Sequence, residues 1–196
     1  MFHRTGIVLA IAAFLAAAAP GLAAGPDVPE SKRTVLGKYL SAEEAYAELG
    51  SARERILFVD VRTIEEMMFV GSTDAADALV PFAEVKHPPT WDEKRGSLAF
   101  VPNPAFVAQV DAALGRKGLA RDDKVFVMCR SGERSARAVN QLAMAGYSNV
   151  WSVYDGFEGD LSKDGRRSVN GWRNAGLPWS YTLDKAKLRI NPAPLR

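Results

Sequence analysis

The sequence holds a single cysteine, Cys129, and two histidines, His3 and His87. One cysteine can close no internal disulfide and can form no CxxC redox pair. Two histidines, one of them in an N-terminal targeting segment, make a poor zinc site. His87 stands alone in a proline-rich stretch and is assigned no role. What remains is one thiol in unusual company. Cys129 is followed by Arg130, Ser131, Gly132, Glu133, Arg134 and Ser135. A tight loop that opens into a helix can turn successive backbone N–H groups inward as an anion nest. Oriented amides, a helix N-terminus and two arginines all favour the thiolate over the thiol. Gly132 lets the loop close tightly. The pattern predicts a nucleophilic sulfur at the bottom of a cationic, anion-accepting cup. A buried structural cysteine is the alternative, but the residues that follow it are not core residues.

Such a loop needs a strand before it and a helix after it. Lys124–Met128 is a continuously apolar run, and the spacing predicts a helix over 133–145, closed by Gly146. Ile56–Val61 is another apolar run, rich in β-branched residues, as in strands covered on both faces. Asn149–Val153 reads as a third strand. Ser41 with Glu44, and Thr63 with Glu66, form capping boxes, predicting helices over 41–50 and directly after Val61. Asn103-Pro104 reads as the N-cap and first residue of a helix that carries Phe106, Val110 and Leu114 on one face and ends at Gly115. Ala78–Val85 reads as a strand with an edge or bulge at Pro81, and 86–102 as a loop. Strands alternating with helices imply an α/β domain with a mainly parallel central sheet flanked by helices. Ligands bind such sheets beyond the carboxyl ends of the strands, where Cys129 lies. The segment after Val153 carries Gly156, Gly159, Gly165 and Gly171 among charges. Trp172, Leu177, Trp179 and Tyr181 give it something to pack with.

The 196 residues suffice for one domain with a real core. A hydrophobic fraction of 47% excludes a disordered chain, and a net charge of +2 argues against nucleic-acid binding. His3 and Arg4 precede an apolar run, Gly6 to Ala19, with small residues after it. The run is shorter than the roughly 20 residues of a membrane span. It predicts a signal peptide over 1–24, and so a periplasmic or secreted protein with no membrane span in its mature form. The expected order continues with an N-terminal arm (25–40), a domain (41–181, with 154–181 an extension packed on it) and a loose tail (182–196).

The loop Cys129 to Ser135 resembles the active-site loop of rhodanese-domain sulfurtransferases. Asp60-Val61-Arg62 with Glu66 resembles the family's early Asp-x-Arg…Glu signature. Val101-Pro102-Asn103-Pro104, the run 156–160 (GFEGD), 170–172 (NGW) and 176–179 (GLPW) are similar to single-domain exported bacterial members. Gly71-Ser72-Thr73-Asp74-Ala75-Ala76 departs from the family's usual Gly-His-Ile-x-Gly-Ala. The resemblance implies a rhodanese-like three-layer domain and sulfur transfer through a Cys129 persulfide. As partners it implies a small anionic donor such as thiosulfate and a cyanide, thiol or protein acceptor. No metal or organic cofactor is implied. Arg130 and Arg134 are the candidates to bind the donor. Arg62 and Glu66 are expected to pair and brace the loop, with Asp60 in support. Two other readings stay open. Cysteine phosphatases and arsenate reductases carry an arginine six positions after the cysteine; here that position is Ser135 and the arginine is at five. A persulfide carrier or redox-sensing module would use the same loop without turnover.

Overall fold

A computed structural model describes residues 27–188 of the chain. The expected signal peptide therefore lies outside the described residues, as does most of the expected tail. The first strand, β1 (Tyr39–Leu40), leads into α1 (Ala42–Ala52). The Ser41 capping box is formed: Ser41 Oγ accepts from Glu44 N–H at 3.1 Å, and the Glu44 carboxylate accepts from Ser41 N–H at 2.7 Å. Gly50, expected as a stop, lies inside this helix. A glycine there costs only about 1 kcal/mol, and Ala45 and Leu49 hold the helix to the core.

β2 (Ile56–Asp60) follows, buried along its whole length, and then α2 (Ile64–Val70) with its Thr63–Glu66 capping box also formed. The stretch read as one strand over 78–85 splits at Pro81 into β3 (Ala78–Leu79) and β4 (Ala83–Val85). Proline has no N–H to offer a ladder, so the chain leaves the main sheet there. The stretch 86–102, read as a loop, contains β5 (Trp91–Asp92), β6 (Ser97–Leu98) and β7 (Phe100–Pro102). β4 pairs antiparallel with β7, and β5 with β6. Lys86 N–H to Ala99 O and Ala99 N–H to Thr90 O join the two pairs into one kinked ribbon.

α3 (Phe106–Arg116) starts two residues later than the Asn-Pro signal suggested. Asn103 instead accepts from Ala105 N–H and donates to Pro81 O and Gln109 Oε1, tying the ribbon's base to the helix. β8 (Lys124–Met128), α4 (Glu133–Met144) and β9 (Val150–Val153) complete the domain.

The central sheet has five parallel strands in the order β1-β9-β8-β2-β3. Alternate residues face opposite sides. Leu57, Val59, Val125 and Val127 meet Phe106 and Leu114 of α3 and Val139 and Leu142 of α4. Phe58 and Phe126 meet Ala45 and Leu49 of α1 and Met67 of α2. The result is an α/β three-layer domain, with both sheet faces buried as the continuous apolar runs require. Trp172 inserts into the α1/α2 side, packed on Phe58 at 5.5 Å between centroids, and anchors the segment after β9. Residues 182–188, expected to be loose, lie along the β3 edge. Leu79 N–H donates to Lys187 O, and Leu183 and Leu188 pack on the core. An unpaired edge strand gains from such a cover.

Candidate active site

β2 and β8 are neighbours in register, with Asp60 opposite Met128. That pairing brings the residues after both strands to one place, although Glu66 and Arg134 stand 68 positions apart in sequence. Cys129 follows Met128 directly. Its side chain is buried, and Sγ accepts the Gly132 N–H at 3.2 Å. Gly132 is the N-cap of α4 with φ +99°, and no side chain caps the helix. The N–H groups of its first turn therefore have no partner within the helix. A Cβ at Gly132 would collide with the Tyr154 carbonyl and with Cδ of Lys32.

The segment after β9 sets the peptide planes of the loop. Phe157 N–H donates to Cys129 O at 2.8 Å, and Glu158 N–H to Arg130 O at 2.9 Å. In a trans peptide the C=O and the following N–H point in opposite directions. Tying the carbonyls of Cys129 and Arg130 behind the loop therefore turns the N–H groups of Arg130 and Ser131 the other way. Gly156 makes this contact possible, because a Cβ there would lie 2.6 Å from Cys129 O. The extension is thus part of the site's architecture, a role the sequence did not disclose.

The expected Arg62–Glu66 pair is not formed. Arg62 pairs with Asp60: Nη2 donates to Oδ2 at 2.6 Å and Nε to Oδ1 at 3.0 Å, with both side chains completely buried. Its guanidinium lies 3.8 Å from the Phe157 ring centroid, a cation–π contact. This pair braces the residue that holds Cys129 O. Glu66 pairs instead with Arg134, which donates from Nη1 and Nη2 to its two oxygens at 2.6 and 2.5 Å. Burial works against the Glu66 charge, but the Arg134 pair, the Thr63 N–H and nearby Arg62 outweigh it and hold its carboxyl below the ordinary value. Burial likewise opposes the Arg134 cation, and Glu66 overcomes this and raises its pKa. Arg134, expected to bind the donor, lines the cavity with its guanidinium fork occupied by Glu66.

Arg130 is exposed and Ser131 half-buried; both line a cavity of about 750 Å³ above Cys129, together with Glu133. Ser135 is fully buried, and its hydroxyl has no hydrogen-bond partner among the described residues. The cavity's far wall is the β4–β7 ribbon. Arg137, one turn beyond Arg134 on α4, and Arg95 near the ribbon tip also line it. Sequence reasoning missed both. The helical spacing of Arg134 and Arg137 was a usable signal for one. The Lys94-Arg95-Gly96 turn between Thr90-Trp91 and Ser97–Val101 was a usable signal for the ribbon, hidden by Pro88-Pro89. Arg167, also missed, donates to Gly159 O at 2.6 Å. Burial, with the neighbouring Arg130 charge, lowers its pKa against Glu158 and Asp160, which raise it.

Two further side chains lie behind the loop. Lys32 of the N-terminal arm is buried and pairs with Asp160 at 2.5 Å. Asp155 accepts from Ala42 N–H at 2.9 Å and Gly171 N–H at 3.2 Å; burial pushes its carboxyl up to about 6 despite these donors.

The model of the rhodanese-like domain matches residues 41–163. The chain is similar to the uncharacterized protein RP600 of Rickettsia prowazekii, 32% identical over 123 residues, covering 63% of this chain and 81% of that one. It is also similar to thiosulfate sulfurtransferase 16, chloroplastic, of Arabidopsis thaliana, 28% identical over 121 residues, covering 62% and 77%. Among solved structures, Rv0390 from M. tuberculosis superposes with a TM-score of 0.56 at 31% identity, covering 74% of this chain and 98% of that one.

Proposed function

The chain belongs to the rhodanese-like domain family, and from that premise we propose that it moves sulfane sulfur from an anionic donor to a thiophilic acceptor through a Cys129 persulfide. The observation that carries this reading is the Gly132 N–H aimed at Cys129 Sγ, at the floor of an arginine-lined cavity. A similar chain that bears the name thiosulfate sulfurtransferase supports it.

In the first half-reaction the Cys129 thiolate attacks the outer sulfur of thiosulfate. A sulfur–sulfur bond forms at Cys129, the donor's own sulfur–sulfur bond breaks, and its electron pair leaves with sulfite. Exposed Arg130 screens the approaching dianion, the Gly132 N–H stays on Sγ, and the N–H groups of Arg130, Ser131 and the first turn of α4 hold the terminal persulfide sulfur. In the second half-reaction cyanide or a thiolate attacks that terminal sulfur, and the electron pair returns to Cys129 Sγ. Arg134, with Glu66, holds the first turn of α4 and so fixes the loop rather than touching the donor. The phosphatase reading loses support from the same pair, since that arginine has no free fork for a phosphate.

Incubation with thiosulfate should add one sulfur atom to the intact protein mass, and Cys129→Ser should remain unlabelled. A labelled Cys129→Ser protein would sink the mechanism. Thiocyanate formed in many turnovers distinguishes an enzyme from a carrier, which would pass one sulfur per chain to a protein only. The exported setting read from residues 1–24 belongs to this proposal; recovery of a shortened chain from the periplasmic fraction tests it.

A further inference from the structure

The cavity is larger and more varied than a small sulfur donor needs. Its volume of about 750 Å³ falls in the range of roughly 300–1,000 Å³ that holds drug-sized ligands. Thiosulfate or cyanide would occupy only the floor beside Cys129. The upper part has two unlike walls. On the ribbon, Ala83 and Val85 line the space with their pairing partners Pro102 and Phe100, and Leu98 and Ser97 line it farther out. Directly opposed residues in an antiparallel pair share a face, so Trp91, paired with Leu98, extends this apolar stripe outward. Trp91 is 55% exposed and Leu98 42%. A small inorganic anion has no use for such a surface.

The other wall is cationic. Arg130 and Arg137 on the loop and α4, and Arg95 at the ribbon tip, line the cavity. Arg137 and Arg130 have no ion pair among the described residues, and Arg95 has only Asp92 at 3.6 Å. The two acidic lining residues are Glu66, already matched by Arg134, and Glu133. The surplus is positive, and it runs the length of the trough from Cys129 to the tip.

From these two walls we infer that the trough docks an extended, acidic, cysteine-bearing segment of a partner polypeptide, which receives the sulfur. The inference rests on the persulfide reading above for its chemistry. The partner's carboxylates meet Arg95, Arg130 and Arg137, its apolar side chains lie on the ribbon, and its cysteine reaches the floor. The partner thiolate attacks the terminal persulfide sulfur, the bond to Cys129 Sγ breaks, and a persulfide forms on the partner with no net oxidation. Since Cys129 is the chain's only cysteine, no internal thiol competes for that sulfur.

The test uses the full chain and three short synthetic peptides with a central cysteine, flanked by glutamate, glutamine or lysine. The Glu-Cys-Gly tripeptide serves as a small anionic thiol. Protein carrying the added sulfur, verified by intact mass, should pass it to the glutamate peptide about tenfold faster than to the glutamine peptide at low ionic strength, with the advantage shrinking in salt. Arg95→Glu with Arg137→Glu should reverse the order of the glutamate and lysine peptides. Equal rates for all peptides, or a tripeptide as good as the glutamate peptide, would overturn the inference. A second measurement is independent of sulfur loading. The glutamate peptide with serine in place of cysteine should bind in fluorescence anisotropy, and the double charge reversal should abolish this binding. If no sulfur loads but this peptide binds, the persulfide reading fails and the trough stands; if sulfur loads but no peptide binds, the trough fails alone.

Discussion

The carbonyls of Cys129 and Arg130 are tied to a separate segment of chain, whereas the ribbon over 83–102 that faces them across the cavity has, among the described residues, hydrogen bonds only within itself. The loop is enclosed by the Asp60–Arg62 pair, the Glu66–Arg134 pair, Lys32 and the 156–159 backbone. The ribbon over 83–102 is attached at its base, through Phe82 on Phe106 and Asn103, and touches α4 where the Arg134 guanidinium lies 5.9 Å from the Phe100 ring centroid; its tip is mostly exposed. One wall is held from several sides, in keeping with the roughly 0.5 Å placement that the proposed sulfur chemistry needs. The other presents surface, and a two-stranded ribbon has little stability of its own. Substitutions should therefore act very differently on the two walls.

The largest effect is expected at Gly132. Alanine there combines a positive φ with a backbone collision against Tyr154 O. Strain and overpacking together should cost about 2–6 kcal/mol, and sulfur uptake from thiosulfate should fall by at least about a hundredfold, since the N–H that points at Sγ moves. Gly118→Ala is the control: its φ is +69°, but nothing lies near its would-be Cβ. It should cost about 1–2 kcal/mol and leave uptake alone. Equal damage from the two, measured by urea unfolding and single-turnover kinetics, would mean that the loop is not as tightly held as its contacts show.

A smaller effect concerns pH. Asp155 is 4% exposed, and its carboxyl is pushed up to about 6 in the fold, against an ordinary value of 3.8. The folded state thus binds a proton that the unfolded state has already released. This group's contribution to stability therefore falls as pH rises from about 3.8 to about 6, by about 3 kcal/mol at most. Asp155→Asn should flatten that part of the stability–pH curve. An unaltered slope in the variant would remove Asp155 from the account.

Glu66 works in the opposite sense. Its folded pKa is below the ordinary 4.5, so its contribution is present above that value and lost as pH falls through the lower folded value. Glu66→Gln leaves Arg134 partly buried without its partner. The loss should be about 2 kcal/mol, less than the roughly 3–5 kcal/mol of a fully buried broken pair, because each side chain keeps some exposure. Acid unfolding below pH 4.5 should then become shallower in the variant. Rescue by Glu66→Asp would show that charge rather than length matters, and thiosulfate uptake should track the stability loss.

These partners mark where the sequence was readable. Local signals came through: both capping boxes, the apolar strands, and a cysteine at a strand end followed by Gly132 at a helix start. Each depends on residues within a few positions of one another. Pairings that depend on strand order did not. Arg62 and Glu66 have helix-like spacing and invite a pair, but Arg62 closes back on Asp60 two residues away, where both are sealed under Phe157. The partner of Glu66 comes from α4, and only the adjacency of β2 and β8 brings it there. The ribbon was hidden for another reason: Pro88-Pro89 interrupts its alternation, so a period of two is visible only after the strands are paired. The extension's role was unreadable because it acts through backbone N–H groups, which carry no residue signature.

The smallest expected effect tests the ribbon. Trp91 is a large apolar residue, but it pairs only with Leu98 and hydrogen-bonds Glu93 at 3.2 Å, with more than half its surface in water. It belongs to neither core cluster. Trp91→Ala should therefore change unfolding free energy by no more than about 0.5 kcal/mol, as for other surface positions. Amide exchange at Lys86 and Ala99 should be fast compared with Phe58 and Val127, whose opening requires the whole sheet to come apart. A loss of several kcal/mol, or ribbon protection equal to that of β2 and β8, would show that the ribbon is a structural part of the core. The division between a rigid chemical wall and a presenting wall would then fail, because a ribbon that the sheet needs for stability is not free to be shaped by what it binds.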